Sequence, residues 1–328
     1  MIIDAVSGQP LAAVDANGPI TSAVSDGAGG WFIAGGFTMV DGRARANLAH
    51  VGADGSLDAG WRGPELGRSA ALVFISVARA GPRVFLAGGF DVSGRRRPGV
   101  VALRASNGSL DSTWTTPRNC YNGAWAAKAS DGRVWVATAC GAPPCLVAVS
   151  ASTGDPTPWS ARIEAIGEIG CVNDMTIEGN TVFFTGGFTA AGGRPRNGIA
   201  ATRASDGQVL TSFAPTGSCA HLGHAIAAAN GRVFVGGDGC PIAAFESSSG
   251  DQAWAWPRRA NATAAAVLTA GGRVYVGGAF TQLAGIAANG LVALDQRTGK
   301  PAATWHPYPT TQVFSLTASG GRILVGAR

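Results

Sequence analysis

Lysine is nearly missing from this chain of 328 residues: Lys128 and Lys300 are the two, and the rest of the 25 basic residues are arginine. That shortage, with no stretch in which basic and aromatic residues interleave, argues against a nucleic-acid partner. Charged residues are also scarce, at 14% against 46% hydrophobic, so the chain is too apolar for disorder and long enough for a sizeable core. Yet no apolar run approaches the length of about 20 residues that a spanning helix needs, and no membrane insertion is expected. Residues 1 to 20 lack the basic start and continuous apolar stretch of a secretory signal, so either export is absent or the signal lies outside this chain. Long amphipathic periods are missing too, which excludes a helical architecture. There is no GxSxG elbow, no HExxH, no P-loop and no GxGxxG between a strand and a helix, so no catalytic residue and no cofactor is expected.

What the chain has in excess is glycine, 49 residues, with 17 prolines between short Val, Ile, Phe and Trp runs. Such a composition describes many short strands joined by turns. One unit recurs seven times: GGWFIAG (29–35), GPRVFLAG (81–88), DGRVWVAT (131–138), GNTVFFTG (179–186), NGRVFVGG (230–237), GGRVYVGG (271–278) and GGRILVGA (320–327). The spacing, roughly 50 residues, fits a four-stranded propeller blade and is too long for ankyrin or tetratricopeptide helices. Each copy follows one strand (A, before this strand B), and most precede a third (C) such as VVALRA (100–105). A fourth (D) ends at Trp61, Trp114, Trp159, Phe213, Trp256 or Trp305, whose rings are large enough to wedge between neighbouring sheets.

Residues 4–14, DAVSGQPLAAV, align without a gap to 295–305, DQRTGKPAATW. The N-terminus is therefore expected to complete the blade begun by 312–328, which closes the ring and pairs strands otherwise left as edges. The reading is all-β: one domain over 1–328, a seven-bladed β-propeller of four-stranded antiparallel blades near 19–62, 70–114, 119–159, 170–213, 218–256, 261–305, and 310–328 with 1–15.

The pattern GGF-T-x-x-x-G-x-x-R followed by ADGSLD, seen at 35–58 and in variant form after Gly88, Gly186 and Gly277, resembles the delta-sixty-type repeat of bacterial β-propellers. ALDQRTG (293–299) is similar to the turn of quinoprotein-like propeller repeats. The resemblance covers the whole chain, strongly in blades one, two, four and six. It implies a seven-bladed propeller in a secreted or surface-exposed bacterial protein, and it brings no catalytic set and no bound quinone.

In a four-stranded blade the D–A and B–C connections share one face of the ring. All six cysteines fall there: Cys120, Cys171 and Cys219 before an A strand, Cys140 ending a B strand, Cys145 and Cys240 beginning a C strand. Three disulfides are favoured over free thiols. Cys219 with Cys240 is the clearest pair; Cys120 joins either Cys140 or Cys145, and Cys171 the remaining one. A metal is disfavoured because no CxxC pair exists. His221 and His224 precede a strand on the same face, where a ligand contact is expected, whereas His50 reads as an ordinary sheet residue. Glu164, Glu168 and Asp174 fall in the long segment before blade four, where a general acid or solvated surface are both open readings.

Arginine crowds the same connections, although a GC-rich genome would also enrich it. Arg45, Arg97 and Arg196 share one repeat position and are expected to brace their loops. Arg95, Arg96, Arg258 and Arg259 have no repeat counterpart and are the candidate contacts for an anionic partner. The reading that follows is a monomeric, non-catalytic binding module at the cell exterior, presenting its arginine- and cysteine-bearing face to a protein or an anionic polysaccharide. Two alternatives stand: a secreted carbohydrate-active lyase or hydrolase with its site at the central channel, and a structural domain of a larger surface protein, which would suit a chain that begins in mid-blade.

Overall fold

The computed structural model describes residues 1–67, 75–92, 95–115, 124–138, 146–161, 163–165, 172–217, 223–238, 240–256, 263–283, 286–302, 304–305 and 312–327. Among these, every regular element is a β-strand. Each recurring GRV-type segment forms the second strand of an antiparallel sheet. Trp31–Gly35 pairs on one side with Ile20–Ser25 and on the other with Leu48–Val51. The same order holds for Arg133–Thr138 between Ala124–Ser130 and Leu146–Ser150, and for Arg273–Ala279 between Thr263–Ala270 and Leu291–Asp295. The β-branched and aromatic residues of these second strands are almost wholly buried, because both faces of the sheet are covered by the next sheet.

The first strands stand innermost. Ile20–Ser25 lies against Ser76–Ala80 on one side and Val313–Ser319 on the other, and the contacts continue through Ala124–Ser130, Asp174–Glu178, Gly223–Ala229 and Thr263–Ala270. At the termini, Ile2–Asp4 pairs with Arg322–Ala327 in the register Ile2↔Leu324, Ile3↔Ile323 and Asp4↔Arg322, giving a sheet built from both chain ends.

The expected fourth strand is regular in three sheets, as Pro10–Ala12, Pro156–Ala161 and Gln252–Trp256. Elsewhere it shrinks to a single bridge: Val51↔Leu57, Leu103↔Leu110, Thr202↔Val209 and Leu294↔Pro301. This corrects the uniform four-stranded expectation, and side chains explain it. In the ADGSLD turn, Asp54 accepts the Ser56 amide at 3.0 Å and Asp58 accepts the Gly60 amide at 2.9 Å, while Asp206 accepts the Gln208 amide at 2.9 Å in the fourth unit. Backbone donors satisfied by carboxylates have no need of a ladder.

Neighbouring sheets are tied by a repeated device. In five units the ring of the D-region aromatic packs on the aromatic at the middle of the second strand: Phe32 with Trp61, Phe85 with Trp114, Trp135 with Trp159, Phe183 with Phe213 and Tyr275 with Trp305, while in the fifth unit Trp254 takes that place against Phe234. The indole N–H then reaches the C–D turn of the next unit: Trp61 to the Ala105 carbonyl at 3.0 Å, Trp114 to Ser150 at 3.1 Å, Trp159 to Arg203 at 2.7 Å and Trp256 to Gly299 at 3.0 Å. The arginine of the GRV segment repeats this reach, from Arg133 to the Ala204 carbonyl, Arg232 to Gln296, Arg273 to Ala5 and Arg322 to Ala53. Glycine makes the turn fit: at Gly154, with φ of 86°, a Cβ would lie 1.9 Å from the Thr115 carbonyl oxygen of the preceding unit.

A candidate site at the mouth of the central channel

Because the strands of each sheet alternate in direction, the B–C and D–A connections share one end of the assembly. The GGFT segments, expected as loops there, fold as hairpins: Met39–Val40 with Arg43–Ala44, Phe188–Ala191 with Arg194–Pro195, and Gln282–Leu283 with Ile286–Ala287. In the second unit the hairpin is continuous with the blade, running from Arg83–Val92 into Arg95–Arg104. Several hairpins are buttressed by the preceding D–A segment, as Leu66–Gly67 pairs with Asp91 and Val92 and Ile163–Ala165 pairs with Phe188–Ala191. Two of the three arginines expected to brace these connections do so: the Arg45 guanidinium is buried and donates to the Ala44 and Ala59 carbonyls, and Arg196 donates to those of Pro195, Leu210 and Thr211, while the Arg97 side chain lies outside the described ones.

Inside this rim the innermost strands share a second feature. Five of them carry a β-bulge near their first residues, between Ile20 and Ser22, Ala124 and Ala126, Gly223 and Ala225, Ala264 and Ala266, and Val313 and Ser315. A bulge inserts one unpaired residue and re-aims its side chain. The inserted residues, Thr21, Trp125, His224, Ala265 and Phe314, all line one central cavity of about 560 Å³.

The polar groups of that cavity lie mostly on three consecutive units. Lys128 Nζ is 3.6 Å from Asp174 Oδ1, and the other Asp174 oxygen accepts the Ile226 amide at 3.1 Å, tying one inner strand to the next. His224 Nε2 meets Asp238 Oδ2 at 2.8 Å, and Asp238 Oδ1 accepts the Thr263 hydroxyl at 2.9 Å. Asn173 donates its amide to the Gly223 carbonyl at 2.9 Å. On the remaining units, Ser22 accepts the Val77 amide at 3.0 Å and Ser76 that of Ala127 at 3.1 Å, so hydroxyls there serve as strand ties.

Of the residues singled out by sequence, His224 and Asp174 stand in this cavity. Arg95 and Arg96 belong to the hairpin ladder opposite Val92 and Asp91, not to a loop as expected, because the long second-unit strands continue past the blade. His221, Arg258, Arg259, Cys120, Cys140, Cys145, Cys171 and Cys219 lie outside the described residues. Cys240 is buried at 8% exposure and is disulfide-bonded, its partner lying outside the described residues. Of the acids before the fourth unit, Glu164 pairs in the hairpin sheet opposite Ala190, Asp174 opens an innermost strand, and Glu168 lies outside the described residues.

Sequence reasoning missed Trp125, Lys128 and Asp238. A signal existed for Lys128, which fills a position held by Ala78, Thr176, Ala227, Leu268 and Thr317 in other units. His50, read as a sheet residue, proves to be clamped at the opposite end. Its Nδ1 is 2.9 Å from Asp58 and its Nε2 3.1 Å from Asp26, with the ring stacked 4.5 Å from Phe32. Burial alone would raise Asp26, but the amides of Ala28 and Gly30 and the His50 ring hold it below the usual carboxylate range; the His50 contact is the main cause of the same shift at Asp58.

Comparison with known proteins bears on the fold. Residues 195–327 match the family model of the outer membrane protein assembly factor BamB, a stretch that includes the ALDQRTG turn. No curated protein matches the chain. Among solved structures, the WD40 β-propeller domain of Doa1 superposes with a TM-score of 0.64 at 11% identity, over 98% of this chain and 94% of that one. The computationally designed Ika8 protein gives 0.58 at 14% identity, over 98% and 97%. BamB from Moraxella catarrhalis gives 0.52 at 15%, over 94% and 85%. The chain has the fold of an all-β propeller, and its residues 195–327 are similar to the BamB-type repeat. No helix among the described residues is long and apolar enough to cross a membrane.

Proposed function

We propose that this chain is a monomeric, non-catalytic protein-interaction module acting outside the cytoplasm, which meets its partner with the face that carries the B–C hairpins. One observation carries this reading. Of the five large apolar side chains exposed among the described residues, three stand at this end, Met39 and Ile286 (41% and 37% exposed) on those hairpins and Trp125 (38%) at the channel mouth, whereas Val6 lies at the other end and Leu11 on an outer strand. Large apolar side chains open to water on one face are what the core of an interface covers. The likeness to BamB, an outer membrane protein assembly factor, supports a scaffold role and an extracytoplasmic place. The cavity carboxylates support a role without chemistry, since Asp174 and Asp238 are engaged in tying inner strands together.

The finer architecture belongs to the same proposal. Seven blades in one domain over 1–328 would be closed by the pairing of Ile2–Asp4 with Arg322–Ala327, and the GGFT…ADGSLD units would be of the delta-sixty type. The contacts of Val313–Ser319 with Ile20–Ser25, reinforced by Ser315 donating to the Ile20 carbonyl at 3.1 Å, support closure. Three disulfides, among them Cys219 with Cys240, would brace the hairpin face. Arg95, Arg96, Arg258 and Arg259 are proposed contacts for acidic groups of the partner.

The test is a pair of variants in the tagged chain. Met39→Asp with Ile286→Asp should abolish co-purification of the partner from the cell envelope without changing the melting temperature. Val6→Asp, at an exposed apolar residue in a C–D turn on the other face, should leave it intact. Equal retention by both variants would refute the choice of face.

A further inference from the structure

A repeat protein solves one packing problem many times, so a position that the backbone fixes and the side chains vary is where specificity can be written. The bulged residues are such a position. The backbone device recurs in five innermost strands, yet it carries Thr21, Trp125, His224, Ala265 and Phe314, from the smallest side chains to the largest. None of these contributes to the ladder it interrupts, and a packing role would favour one residue type throughout.

The ring they form is lopsided. Trp125 and His224, with Asn173 and Lys128, gather on three consecutive units, while Ala265, Phe314 and Thr21 on the other side bring one hydroxyl and no charge. The cavity volume of about 560 Å³ lies within the range of small-ligand sites, commonly about 300–1,000 Å³. Its donors point to an uncharged, hydroxyl-rich ligand. Lys128 has three ammonium donors and meets Asp174 with one contact, and its side chain is 45% exposed. His224 meets Asp238 through Nε2, which leaves Nδ1 directed elsewhere, and its side chain is 41% exposed. The Asp174 carboxylate in the same mouth opposes an anion, while Lys128 beside it opposes a cation. Trp125 lines the cavity and is 38% exposed, and an indole ring presents the negative side of its quadrupole to polarised C–H bonds.

We infer that this bulge-lined mouth binds a neutral sugar ring, stacked on Trp125 and hydrogen-bonded by Lys128, Asn173 and His224. This goes beyond the protein-interaction reading and shares only Trp125 with it, because the other sugar contacts come from the innermost strands and not from the hairpin rim. It also differs from an anionic glycan held by the rim arginines.

Calorimetric titration and saturation-transfer NMR with maltose, lactose, cellobiose and chitobiose, each to about 20 mM, would test it, since sugar sites of this size bind in the millimolar range or tighter. At least one of these disaccharides is expected to bind the intact chain. Trp125→Ala should weaken that binding about five-fold or more, from the loss of stacking, and Lys128→Met should weaken it as well, both with unchanged melting temperatures. Binding of none of the four overturns the inference. So does undiminished binding by Trp125→Ala, or binding confined to a sulfated disaccharide used as the anionic comparison. The hairpin variants Met39→Asp and Ile286→Asp should bind the sugar normally, which separates failure here from failure of the partner-protein reading.

Discussion

Deleting residues 1–14 should cost the protein much of its stability, and the structure allows the size of the loss to be worked out. Ile2 and Ile3 are fully buried, packed in two different clusters on either side of the terminal sheet. Burial of each is worth about 1.5–3 kcal/mol, so the pair accounts for about 3–6 kcal/mol. The ladder to Leu324, Ile323 and Arg322 adds about 1 kcal/mol for each net hydrogen bond. The deletion also orphans partners in the preceding unit, because the Tyr275 hydroxyl donates to the Ala5 carbonyl at 2.6 Å and Arg273 donates to the same oxygen at 3.2 Å. A total near 5–10 kcal/mol is comparable to the whole stability of a typical domain, about 5–15 kcal/mol. The Arg322–Ala327 edge would be left open for pairing between molecules. Size-exclusion chromatography and thermal melting of the deletion variant should show association and a melting temperature lower by about 10 °C or more. A control moves 1–14 to follow residue 328 through a short linker. The Met1 amino group lies 3.1 Å from the Val325 carbonyl, so that permutant should regain a monomeric, stable fold. A deletion variant that stays monomeric with an unchanged melting temperature would refute the closure argument.

Three further expectations concern the ties within the ring and at its rim. Arg273→Glu, at an A–B turn far from the hairpin face, should destabilise the fold by about 1–3 kcal/mol through the lost contact with Ala5, where Arg43→Glu on an exposed hairpin should change little; denaturant unfolding compares the two. Asp26 and Asp58 hold fewer protons in the folded chain than in the unfolded one near pH 4, so their contribution is present above the usual carboxylate range and is lost as pH falls through their lowered folded values. His50→Leu should therefore lower stability most above about pH 4 and progressively less below it, and a difference constant from pH 7 to 3 would contradict this. Peptide mapping without reductant should recover Cys219 joined to Cys240 and no free thiol, with loss of that bridge costing about 2–4 kcal/mol; labelling of all six thiols in the native protein would overturn the pairing.

The architecture was readable because each sheet repeats the same solution. The glycine of the C–D turn, the ring at the middle of the second strand and the Trp that ends the unit can be seen in the sequence as a period, and the structure joins them: the ring packs on the Trp of its own unit, the indole N–H reaches the next unit, and the glycine lets the preceding unit approach. The GGFT copies proved to be hairpins, in the units where the motif is strongest. What sequence could not show was register. A bulge is one extra residue in a strand, and nothing in the run AWAAKAS announces that Trp125 is the unpaired one. The arginines of the connections, by contrast, are plain in the sequence as a charge excess. Several arginines turned out to hold carbonyls of their own unit or the next, which a charge count cannot distinguish from a ligand contact.

The most direct test of the interaction reading is photo-cross-linking in the intact cell envelope, with a photoreactive side chain placed in turn at Met39, Ile286 and Val6, all exposed in the free chain. The account predicts one and the same cross-linked protein from Met39 and Ile286, on neighbouring stretches of the hairpin face, and no such product from Val6. Products from Val6 alone, or unrelated proteins from the two hairpin positions, would contradict it.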